Sequence, residues 1–65
     1  MTRFMIVELS ADNIVAINLD QITRMEPHTS GDTDDVRIFL DYTQFVTAYD
    51  TPIPQLLQKA RVLAL

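Results

Sequence analysis

The sequence contains no cysteine, one glycine and one histidine in 65 residues. Without cysteine there is no disulfide framework, no thiolate nucleophile and no cysteine-based zinc site. A lone Gly31 cannot build the Gly-rich loop that cradles phosphates. Positive charge is scarce as well: five Lys and Arg against nine Asp and Glu leave a formal charge of −4. A field of that sign repels phosphate backbones, which makes nucleic acid an unfavoured partner. Long apolar runs are missing too. Phe4-Met5-Ile6-Val7 stops at Glu8, short of the hydrophobic region of a signal peptide. No stretch approaches the roughly 20 apolar residues of a membrane helix. These absences imply a cytoplasmic protein with no membrane partner and no cofactor.

What is present is a folding-competent composition. Apolar residues make up 48% of the chain and charged residues 22%, too apolar for a disordered tail. Residues 1–65 therefore form a single small domain. A chain of this size buries only about 60% of the surface its unfolded form exposes.

Residues 3 to 9 and 13 to 18 are rich in β-formers and flank Ser10-Ala11-Asp12-Asn13, a turn-type cluster, so they predict an antiparallel hairpin. Leu19 and Ile22 are three apart, which suits one helical turn. A third strand is expected over residues 23 to 26. Pro27 lacks an amide proton and Gly31 follows, so pairing is expected to end there and residues 27 to 35 to form the longest loop. Val36, Ile38 and Leu40 alternate with Arg37, Phe39 and Asp41, and residues 44 to 49 are again β-branched and aromatic, predicting a fourth and a fifth strand. After Pro52 and Pro54, residues Leu56, Leu57, Ala60, Leu63 and Ala64 fall at helical spacing, with Lys59 and Arg61 suited to a helix end. The predicted class is α+β: a small antiparallel sheet or partly closed barrel of about five short strands with one C-terminal amphipathic helix.

Catalytic patterns fail on inspection. His28, Ser30 and Asp32 lie within five positions, but a triad needs a base fixed by an orienting group and an oxyanion site beside the nucleophile. Asp32, Asp34 and Asp35 lack the alternation and closing glutamate of a calcium loop. The sequence therefore implies neither an enzyme nor a metal protein. Arg24, Arg37 and Phe39 resemble the cation-plus-aromatic sets with which RNA-binding sheets stack bases, although here in an acidic chain.

Residues 17 to 26, Ile-Asn-Leu-Asp-Gln-Ile-Thr-Arg-Met-Glu, followed after a loop by Val36-Arg37-Ile38-Phe39-Leu40, resemble the small FlbD-type flagellar and swarming-motility proteins. The resemblance covers about two thirds of the chain. It implies an opening hairpin, an alternating strand, a further strand and a helix, in a protein of bacterial motility. The chain departs from that pattern in the segment at residues 27 to 35, at Asp41-Tyr42, and at Pro52 and Pro54.

Small domains are commonly reinforced by disulfides, metals or assembly, and the composition leaves assembly. Met5, Val7 and Leu9 oppose Phe4 and Ile6 across one strand, so apolar groups stand on both of its faces, and one helix covers only one. The sequence thus predicts a non-enzymatic interaction protein, a homodimer that also regulates or inhibits a protein partner. Met5, Val7, Phe39 and Tyr42 are the expected interface residues. The alternative is a dimeric nucleic-acid-binding regulator using Arg3, Arg24 and Arg37.

Overall fold

The computed structural model describes residues 2–41 and 43–65. The first hairpin forms where the alternation places it. Strand β1 (Arg3–Ser10) pairs antiparallel with β2 (Asn13–Asn18), Met5 opposite Ile17 and Val7 opposite Val15. A register shift between Glu8 and Ser10 bulges the strand at Leu9. The Leu9 carbonyl there accepts a hydrogen bond from Tyr49 N–H at 2.9 Å. A bulge breaks pairing locally and re-aims the backbone, and here it ties the first sheet to the second.

Leu19–Gln21 form a single 3₁₀ turn, begun by Asn18, whose side chain accepts from the Asp20 amide at 2.9 Å. The turn feeds β3 (Arg24–Ser30), which pairs antiparallel with β4 (Thr33–Phe39), and β4 pairs with β5 (Phe45–Ala48). Asp41 shapes the β4–β5 connection by accepting from the amides of Gln44 at 2.7 Å and Thr43 at 2.8 Å. Those two amide bonds, Gln44 foremost, hold its carboxyl below the ordinary aspartate range.

Two expectations are corrected here. Residues 27 to 35 are not the longest loop, because β3 runs through Pro27 to Ser30 and β4 begins at Thr33. Pro27 is tolerated because β3 is an edge strand, where half of the amides face away from the neighbouring strand. A two-residue turn, Gly31-Asp32, closes this hairpin with Gly31 at φ +61. A Cβ added at Gly31 would meet nothing within 4 Å, so the conformation alone selects glycine. Gly31→Ala is therefore expected to cost about 1 kcal/mol in urea unfolding, the steric penalty of left-handed backbone. An unchanged midpoint would show that the turn relaxes to another type.

The second correction concerns the C-terminal segment. Helix α1 spans only Ile53–Lys59, with Pro54 in its first turn, and Ala60 is already extended. Arg61–Ala64 form a sixth strand, β6, antiparallel to β1, with Leu63 opposite Phe4 and Arg61 opposite Ile6. Leu56 is buried, whereas Leu57 points to solvent.

The architecture is α+β, with two three-stranded antiparallel sheets ordered β2-β1-β6 and β3-β4-β5 and one short helix packed on β1 and β3. The sheets do not close into one another. Met5, Val7, Leu9 and Ile17 of the first sheet meet Val36, Ile38 and Ala48 of the second, with Leu56 inserted from the helix. No helix among the described residues is long and apolar enough to cross a membrane.

Candidate interaction surfaces

Pairing partners in an antiparallel sheet share a face, so the register fixes what the first sheet turns outward. With Met5, Val7 and Leu9 committed to the core, Phe4, Ile6 and Glu8 of β1 face away from it. Across β2 they are joined by Asn18, Ala16 and Ile14, and across β6 by Leu63 and Arg61. The outer face therefore carries Phe4 beside Leu63, Ile6 beside Ala16, and Ile14 beside Glu8. Ile14 is 65% exposed and Leu63 53%. Phe4 and Ile6 between them are half-buried.

The outer face of the second sheet has a different chemistry. Register places Arg24, Phe39 and Phe45 in one row and Glu26, Arg37 and Thr47 in the next. The Arg24 guanidinium lies 3.9 Å from the centroid of Phe39, and that of Arg37 lies 4.9 Å from the centroid of Phe45. The two rings are 5.1 Å apart and tilted by 43°. Each cation has a further partner. Arg24 Nε donates to Glu26 Oε1 at 2.6 Å, and Arg37 Nη2 lies 3.2 Å from His28 Nε2. Guanidinium is a donor only, so His28 Nε2 is the acceptor side of that contact. The cluster packs its own cations on its own rings and offsets that of Arg24 with a carboxylate.

The structure relocates the expected interface residues. Met5 and Val7 are buried between the sheets, and Phe39 is buried beneath Arg24 and Phe45, so these three stabilise the protomer instead of facing a partner. Tyr42 lies outside the described residues. The two-sided pattern of β1 is present, with its faces assigned the other way: Phe4 and Ile6 are the outward pair. Arg24 and Arg37 do share a face, whereas Arg3 sits on the first sheet opposite Ala64, away from them. Ile14 and Leu63 were missed. Ile14 could have been found from the hairpin register, which puts it opposite outward-facing Glu8; Leu63 could not, because its strand pairs only with distant β1.

His28, Ser30 and Asp32 do not assemble: His28 engages Arg37, while Ser30 and Asp32 belong to the hairpin turn. The three aspartates separate in the same way. Asp34 faces Thr29, but Asp35 is buried and accepts from the Asp50 amide at 2.8 Å and from Thr33 Oγ1 at 3.2 Å. Among the described residues no three His, Asp or Glu side chains converge as a metal ion would need. Comparison with known proteins finds no matching family model, no matching curated protein and no matching solved structure.

Proposed function

We propose that this chain is a non-enzymatic interaction protein that self-associates and regulates or inhibits a protein partner, docking through the outer face of its first sheet. The observation that carries this reading is the apolar outer face of the first sheet, where Ile14, Ala16 and Leu63 are exposed beside half-buried Phe4 and Ile6, while the opposite face of that sheet is committed to the core. Apolar area in that arrangement is stabilised by removal from water, at roughly 25 cal/mol per Å². The resemblance to small motility proteins makes the flagellar apparatus the first place to seek the regulated partner.

The test removes apolar area without adding charge. Ile14→Gln with Leu63→Gln changes two exposed side chains, so the fold should be retained. Association measured by sedimentation equilibrium is expected to weaken by about tenfold or more, each lost anchor contributing on the order of 1 kcal/mol. Equal association constants for the variant and the parent chain would remove this face from the mechanism.

A second reading, nucleic-acid recognition through Arg24 and Arg37, draws on the guanidinium-over-phenyl pairs of the second sheet. It is weaker because Arg24 is already ion-paired with Glu26, the Phe39 ring is already covered, and the chain is acidic. Salt separates the two: nucleic-acid affinity falls steeply with ionic strength through counterion release, while an apolar interface responds little.

A further inference from the structure

On the outer face of the first sheet, Glu8 and Arg61 stand one strand and one two-residue repeat apart, a diagonal of about 8 Å between Cα atoms. They carry opposite charges and have no ion-pair partner among the described residues. The only ion pair among the described residues is Arg24–Glu26, on the other sheet. Glu8, Lys59 and Arg61 border a groove of about 590 Å³ floored by Ile6, Ile14 and Ala60. One apolar surface thus bears a carboxylate and, diagonally across it, a guanidinium.

That arrangement is self-complementary. Two such faces packed about 10 Å apart, related by a two-fold axis running across the strands between the Ile6 and Glu8 rows, bring each Glu8 over the partner's Ile6 row. There it lies beside the partner's Arg61. The same operation sets each protruding Ile14 over the partner's Ala16, a large side chain above a small one. Moving the axis onto the Ile6 row would instead stack the two Arg61 side chains on each other, a like-charge contact that disfavours the shifted register.

We propose that the occupant of this face is a second copy of the chain, held in register by two symmetry-related Glu8–Arg61 pairs flanking reciprocal Ile14–Ala16 contacts. The proposal rests on the reading that the chain self-associates through this face, and it adds the register and the residues that set it. Three strands at about 4.8 Å spacing give a small footprint, so the dimer belongs at the weak end of specific interfaces and is measured in the micromolar to sub-millimolar range.

Charge reversal tests it. Glu8 and Arg61 are exposed, so reversing either leaves the core untouched. Glu8→Arg alone and Arg61→Glu alone are each expected to weaken dimerisation by about tenfold or more, since each creates two like-charge contacts across the axis. The double variant Glu8→Arg/Arg61→Glu is expected to return to within about threefold of the parent constant, because both pairs re-form with their signs exchanged. Circular dichroism melts of all three variants check the fold. A parent dimer that is indifferent to both single reversals, or that the double reversal fails to restore, overturns this register while leaving docking through the face intact. A parent chain that stays monomeric throughout that range overturns both self-association and the register.

Discussion

Leu56→Ala is expected to lower the thermal midpoint sharply, while Leu57→Ala next to it leaves the melt nearly unchanged. Leu56 is 1% exposed and is the one buried residue of α1, closing the core between the sheets. Truncating a fully buried leucine typically costs about 2 to 5 kcal/mol, the lost transfer energy plus the cavity left behind. A domain of this length holds roughly 3 to 10 kcal/mol in total. Leu57 is 58% exposed, so its truncation falls within the roughly 0.5 kcal/mol of ordinary surface changes. Thermal melts of the two variants, run side by side, decide the matter. Similar midpoints would mean that α1 docks on the core without relying on Leu56.

The second large effect is expected at Asp35. This carboxylate is buried, and its Oδ1 receives both the Asp50 amide and the Thr33 hydroxyl. Asp50 sits at φ +52, a left-handed conformation that is costly outside glycine, although aspartate is among the residues that tolerate it. The bond to Asp35 holds that turn, and the turn leads β5 into α1. Asp35→Ala strands the Asp50 donor and releases the strained residue, for an expected loss of about 2 to 3 kcal/mol in urea unfolding. Asp35→Asn keeps an acceptor oxygen in place and should lose clearly less. If alanine and asparagine behave alike, the acceptor has no part in holding the turn.

The sequence made the local structure readable where short-range rules decide it. The Ser10-to-Asn13 turn cluster and the apolar residues around it are enough for the first hairpin, and the three-residue spacing of Leu19 and Ile22 is enough for the 3₁₀ turn. Residues 27 to 35 misled because proline and glycine signal breaks in general, whereas an edge strand absorbs one and a two-residue turn requires the other. Residues 60 to 64 misled for a different reason. Leu56, Ala60 and Leu63 fit a helix, and the four residues of β6 are too few to show a period of two. What makes them a strand is β1, at the far end of the sequence. The candidate surface shared that fate: alternation in β1 announced two apolar faces, but only the arrival of the second sheet determines which one stays open.

The pairing of β6 with β1 carries a consequence for the order in which the molecule is made. A chain emerging from the ribosome completes both hairpins early, since their partners are adjacent in sequence. The second edge of β1 stays unpaired until residues 61 to 64 appear, and Phe4 and Ile6 stand beside that bare edge meanwhile. Closing so long a loop is slow, because its entropy is lost before the pairing rewards it. During that interval an unpaired strand edge bordered by apolar side chains is a template for neighbouring nascent chains. The nine acidic residues, distributed along most of the chain, give those neighbours the same sign of charge and oppose their approach.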